Sequence, residues 1–246
     1  MTQRPYVITN HIEAAVARGT DQLTVTVHDL NYIPPGKSYP SIKYLRYTPR
    51  TSIKDLSALQ AFPHVKTLLL ELNQKEDEAY CLDGIAGMSE LETLRIFRSC
   101  PDNLAGIEFC SMLSELHIDT HPALGNELSR NDGSKILDLA VLNGHPSLTM
   151  VLLKCPADID SLDWSTLPSL QILNLTRCLP PHNNNFEFLR NASLETLSCY
   201  ACGLDSIEGL QTAKLAYLTL EHNRFAKEPS IDLPTDCLFN FTQYGI

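Results

Sequence analysis

The sequence is poor in the features that mark most function classes. It holds one tryptophan, 7% aromatic residues and 11 glycines in 246 residues. Neither a G-x-x-x-x-G-K-[ST] loop nor a G-x-G-x-x-G fingerprint occurs, so nucleotide binding has no motif behind it. Positive charge is scarce. Lys plus Arg number 19 against 29 Asp plus Glu, for a net charge of -10. Nucleic acid and anionic lipid are held largely through Lys and Arg, so this balance speaks against both as partners. Long apolar runs are missing too; none approaches the roughly 18 residues of a transmembrane helix. The first residues, MTQRPYVITNHIEAAVARG, show no apolar segment of signal-peptide length and no cleavage pattern. The expectation is a soluble cytoplasmic chain with reduced thiols and no membrane partner.

What is present is a globular composition. Hydrophobic residues make up 43% and mean hydropathy is -0.10, which excludes wholesale disorder. The length suits one large domain or two small ones, with a core that needs no disulfides. Eight cysteines form an even number, which by count alone would allow a disulfide framework. Leucine is the outlier, with 39 residues.

The leucines recur in a pattern, L-x-x-L-x-L-x-x-N/C. Its clearest copies are LQILNLTRC from Leu170, LETLSCYAC from Leu194 and LAYLTLEHN from Leu215. Others begin at Val65, Leu91 and Leu113, and degenerate ones at Ile42 and Leu148. The spacings are 23, 26, 22, 35, 22, 24 and 21 residues. The 35-residue gap predicts an insertion near His121–Lys135, where Gly, Asn, Asp and Ser cluster. Positions 4 and 6 of each copy are apolar and alternate with polar residues, which is strand patterning. Leu173/Leu175, Leu197/Cys199 and Leu218/Leu220 should point inward, and Asn174, Ser198 and Thr219 outward. Pro40, Pro63, Pro146 and Pro168 each stand two residues before a copy, where a fixed φ suits the corner entering a strand.

With these copies the chain resembles the leucine-rich repeat proteins of the intracellular type, over residues 42–225. The resemblance implies an α/β solenoid: a horseshoe with a curved parallel β-sheet on the concave face and short helices or 3₁₀ turns on the convex face. LDGIAGM, FEFLRNA and IEGLQTA are the convex segments. The resemblance also implies that position 9 (Asn73, Cys178, Cys202, Asn223) is buried and bonds neighbouring backbone. The expected organisation is one domain over 1–246, with an N-terminal cap at 1–41, about eight repeats at 42–225 and a C-terminal cap at 226–246. HIEAAVAR at His11–Arg18 should be a short helix, Leu23–Val27 a first atypical strand, and Leu233, Leu238, Phe239, Phe241 and Tyr244 a cover for the last repeat.

Candidate chemistry is thin. Cys199-Tyr-Ala-Cys202 has redox or zinc spacing, but repeat register accounts for both thiols and no second pair is present. His117-Ile-Asp119 allows a general base with an orienting carboxylate. No nucleophile elbow accompanies it, so a polar binding face is the better reading. No catalytic residue, cofactor or metal site is therefore expected. Asn174, Asn191 and Asn240 match the glycosylation pattern, by chance in a cytoplasmic chain. Positions 3, 5, 7 and 8 should line the concave face. They supply Tyr44, Arg46, Glu71, Arg95, Phe97, Arg98, His117, Asp119, Lys154, Arg177, Tyr200, Tyr217, Glu221 and His222. Aromatic and Arg side chains are the types enriched in protein interfaces. The expected function is a non-enzymatic adaptor or scaffold for a protein partner. The alternative is an inhibitor or immunity-type protein that occludes an enzyme or toxin, a basic one given the charge.

Overall fold

The computed structural model describes residues 6–26, 30–49, 53, 55–72, 80–120, 135–192 and 194–243. Val27, Asn73, Tyr244 and positions 121–134 of the expected insertion lie outside the described residues. By its internal contacts the chain divides into two compact units, Met1–Glu115 and Leu116–Ile246.

The first unit opens with helix α1 (Tyr6–Ala17), longer than HIEAAVAR alone. Ile8, Ile12 and Ala15 fall on one helical face and are buried. Four strands follow: β1 (Gln22–Val25), β2 (Tyr44–Tyr47), β3 (Thr67–Glu71) and β4 (Thr93–Phe97). Each pairs in parallel with the next. Leu23, Leu45, Leu68 and Leu94 line up across them, as do Val25, Tyr47, Leu70 and Ile96.

The second unit takes up the chain at β5 (Glu115–Asp119), followed by β6 (Leu137–Asp138), β7 (Met150–Lys154) and β8 (Ala157–Asp158). It continues with β9 (Ile172–Thr176), β10 (Thr196–Tyr200), β11 (Tyr217–Asn223) and β12 (Leu238–Gln243). The main sheet runs β5-β7-β9-β10-β11-β12, while β6 and β8 form a separate parallel pair.

In all eight copies the strand begins at repeat position 3. Positions 4 and 6 point into the core, from Leu45 and Tyr47 to Leu218 and Leu220, and none is more than 1% exposed. Each such side chain is worth about 1.5–3 kcal/mol in transfer terms, so the repeated pair supplies much of the drive for stacking. The ladder starts from a shared carbonyl. Lys66 and Thr67 N–H both donate to Lys43 O at 2.8 and 3.1 Å, and Glu195 and Thr196 N–H to Gln171 O at 2.9 and 3.0 Å.

The prolines find a physical role at the entry. Ile42, Val65 and Leu170 N–H close turns onto Tyr39, Phe62 and Leu167 O at 3.2, 3.3 and 3.2 Å. Pro40, Pro63 and Pro168 occupy the second position of these turns, where a fixed φ is favoured. The exit corner was not foreseen. Arg98, Arg177, Ala201 and His222 all hold position 8, and all are left-handed, with φ of 70°, 54°, 52° and 54°.

The return segments are 3₁₀ turns such as Ser57–Ala61, Asp83–Gly87 and Glu187–Leu189, and among the described residues α1 is the only α-helix. LDGIAGM and FEFLRNA thus hold 3₁₀ turns, whereas IEGLQTA forms only simple turns. At the C-terminal side, the expected cover is a further parallel strand. β12 pairs with β11 so that Phe239 and Phe241 fall opposite Leu218 and Leu220.

Candidate functional site: the open face of the sheet

Side chains at positions 3, 5 and 7 leave the sheet on the face opposite the core. In the first unit they form a connected charged surface. Glu71, at position 7 of β3, receives Arg46 at 2.9 Å on one carboxylate oxygen and Arg98 at 2.8 Å on the other. Arg95 reaches Glu115 at 3.3 Å. The bond to Glu71 raises the Arg46 pKa above its ordinary value. Tyr44 and Phe97 stand half-buried on the same face. Of the six first-unit residues read from sequence, Arg46, Glu71 and Arg98 meet at one carboxylate, Phe97 stands in register with Glu71, and Arg95 makes a further ion pair.

A second ionic cluster lies at the entry side of the same strands. Glu90 accepts from Lys43 at 3.2 Å and pairs with the His64 ring, and Lys66 meets Glu92 at 2.7 Å. The hydrogen bonds from Lys43 and then His64 hold the Glu90 carboxyl below its usual range.

In the second unit the predicted residues separate into groups. Asp119 takes Lys154 at 3.2 Å, with His117 Nε2 at 3.9 Å. Asp119 departs from expectation in being only 4% exposed. Leu72, at position 8 and also expected outside, is fully buried. Arg177 sits at a left-handed corner, its N–H donating to Tyr200 O at 2.8 Å. Tyr200 and His222 pack ring to ring at 4.8 Å. Tyr217 accepts a hydrogen bond from Asn240 at 2.8 Å, and Glu221 lies level with Tyr200.

No family model matches the sequence, and no curated protein matches it significantly. The fold does have counterparts. The chain superposes on an internalin, InlF, from Listeria monocytogenes with a TM-score of 0.62 at 19% identity, over 90% of this chain and 58% of that one. The chain has the leucine-rich repeat fold. It spans well under two thirds of the InlF chain. The functional domain of InlJ, also from Listeria monocytogenes and described as including a cysteine ladder, gives a TM-score of 0.48 at 14% identity, over 81% of this chain and 40% of that one. A leucine-rich repeat protein of Leptospira interrogans gives 0.44 at 18%, over 83% and 54%.

The leucine-rich repeat frame explains the cysteines. In the last three copies the position-9 side chain reaches back to the position-6 carbonyl of the preceding repeat. Asn223 Nδ2 donates to Cys199 O at 2.7 Å, Cys202 Sγ to Leu175 O at 3.4 Å and Cys178 Sγ to Leu153 O at 3.8 Å. Asn223 Oδ1 also accepts from Cys202 and Leu204 N–H at 3.0 and 3.3 Å. All eight cysteines are thiols without a disulfide. Hydrogen bonding to Cys202, together with burial, pushes the Cys178 and Cys199 thiols well above the ordinary value. Neutral, enclosed sulfurs of this kind serve packing and backbone bonding.

Sequence reasoning missed Asn240, which it read only as a chance glycosylation match. The alternation Leu238-Phe239-Asn240-Phe241 was the available signal for a strand that presents Asn240 on the open face.

Proposed function

We propose that this leucine-rich repeat chain is a non-enzymatic protein-interaction module, an adaptor or scaffold that holds its partner on the open face of the sheet. The observation carrying this reading is Glu71 held between Arg46 and Arg98, on a face that also carries half-buried Tyr44 and Phe97. Exposed ion pairs contribute little to folding, so their concentration around aromatic side chains is better matched to recognition. Arg and Tyr anchor protein interfaces, and guanidinium groups already oriented by carboxylates lose less freedom on binding. Arg46, Glu71, Arg95, Arg98, Asp119 and Lys154 are engaged as ion pairs, which supports binding over catalysis. The thiols support a reducing compartment such as the cytoplasm.

A second reading rests on the net charge of -10. It makes the chain an inhibitor or immunity-type protein that occludes a basic enzyme or toxin. The test for the first reading is affinity capture from the source cells at physiological salt, with the chain and its Arg95→Glu/Arg98→Glu variant. The chain should retain a protein that the variant binds at least about tenfold more weakly, equivalent to about 1.4 kcal/mol. Equal capture by both overturns the face assignment, and capture of nothing overturns the module.

A further inference from the structure

The terminal strands β1 and β12 are finished differently. At β1, helix α1 packs against the strand, and the inward residues Leu23 and Val25 are 2% and 1% exposed. At β12 the inward residues Phe239 and Phe241 are only half-buried. Leu238 beside them is 66% exposed, the most exposed large apolar residue among those described. β12 pairs with β11, and no strand lies on its other side among the described residues. Natural sheets blunt such an edge with Lys, Pro, a bulge or a covering segment. Leu238-Phe-Asn-Phe-Thr242 has no charge, no proline and no glycine. Its pairing to β11 is regular throughout, and the register shift falls beyond it, at Gln243.

The backbone of this segment is sorted by side. Leu238 N–H donates to Ala216 O at 3.0 Å, so Leu238, Asn240 and Thr242 turn their peptide groups to β11. Phe239 and Phe241 alternate with them and turn theirs to the open edge. The side chains alternate as well. Phe239 and Phe241 fall level with buried Leu218 and Leu220 on the core side, and Leu238, Asn240 and Thr242 take the opposite face. The segment therefore reads the same from both ends, outward, inward, outward, inward, outward, with Asn240 at its centre.

We propose that β12 is a self-association surface: a second copy of this chain pairs with it, antiparallel, about a two-fold axis at Asn240. In that register Phe239 of each copy stands opposite Phe241 of the other. These are the residues whose N–H and C=O face the edge, so each such pair exchanges both hydrogen bonds. Their rings cover one another and carry the core across the junction. Leu238 stands opposite Thr242, and the two Asn240 amides meet on the axis, where each offers a donor and an acceptor. Sliding one strand by two residues leaves a phenylalanine opposite Gln243 or Cys237, and a one-residue slip turns the phenylalanines to the wrong face. Charge selects the same contact. Copies carrying -10 each repel at long range, and the charge-free segment lets them meet without like charges opposite. β1, packed under α1 with its inward residues buried, offers no apolar counterpart, so association stops at a closed dimer. The surface is independent of the protein-binding reading of the first unit.

The test is sedimentation equilibrium of the purified chain from about 1 to 500 µM, a span that captures micromolar association. The mass should rise with concentration from 27.5 kDa to twice that value and no further. It should rise at lower concentration in high salt, which screens the negative charge. Asn240→Lys sets two ammonium groups face to face on the axis and should weaken the dimer at least about tenfold, and Asn240→Glu should do the same with two carboxylates. An equimolar mixture of these two variants should restore the dimer, because opposite charges then meet. Asn240 is exposed, so both variants should keep the Tm of the unaltered chain at the lowest concentration. Thr242→Lys, opposite Leu238 of the other copy, should also weaken the dimer. A monomer at every concentration and salt overturns the proposal and leaves the edge to an extended segment of another protein. Growth beyond a dimer overturns the closed two-fold pairing. Undiminished dimers of each Asn240 variant alone, or a mixture that stays monomeric, overturn the register.

Discussion

Asn223 concentrates more backbone bonding in one side chain than any leucine can. Buried to 2% exposure, it donates to Cys199 and Glu221 carbonyls and accepts from Cys202 and Leu204 N–H groups. Asn223→Ala would strand those N–H groups away from water, and urea denaturation should register a loss of about 2–4 kcal/mol. Burial also shields thiols from reagents. Desolvation pushes Cys110 up to about 11, and Cys155, Cys178, Cys199 and Cys202 are also buried. A thiol reagent added to the native protein at pH 8 should therefore label Cys81, Cys100 and Cys237, the half-buried ones, and reach all eight only after denaturation. Rapid labelling of Cys178 or Cys202 in the native state would refute the enclosure of these position-9 thiols. The roles of Cys178, Cys202 and Asn223 were legible because a repeat assigns each residue a position. Thr219 was legible only as an outward residue. Its register partner Asn240 comes from β12, a strand the repeat count did not include.

At the level of elements, one turn packs on the next with no space to spare. A Cβ on Gly84 would stand 1.9 Å from Leu56 O, backbone of the preceding 3₁₀ turn region. Gly84→Ala should lower Tm through a backbone displacement costing about 1–3 kcal/mol, whereas Gly87→Ala, with its nearest neighbour a side-chain carbon at 3.8 Å, should be mild. The entry-side ion cluster gives a pH signature. Because the folded Glu90 pKa lies below its ordinary value of 4.5, its contribution to stability is present above that value and is lost as pH falls through the folded one. The urea midpoint should fall between pH 5.5 and 3.5, and Lys43→Met should shrink that fall by removing the principal partner. An identical pH response in both would remove Glu90 as a contributor. Strand positions were readable from period-2 alternation, and turn entries from proline. The left-handed exits at Arg98, Arg177, Ala201 and His222 were not, because no glycine marks them and the conformation is imposed by the ladder bonds on either side.

For the whole molecule, the excess of ten negative charges acts at long range. If the partner is basic, stopped-flow association should slow by about tenfold or more between low and high ionic strength while dissociation changes little. A salt-independent on-rate would set aside the occluding-inhibitor reading. The sequence by itself determined the repeat period, the inward leucines, the parallel strands and the buried position-9 side chains. These follow from local alternation and from a register copied eight times, which any stack of such units must satisfy. Only the tertiary structure decided which outward side chains meet. It joined Arg46 and Arg98 through Glu71, and Lys154 to Asp119. Those contacts run between strands more than twenty residues apart in sequence, and they depend on side-chain length and direction, which no repeat pattern records.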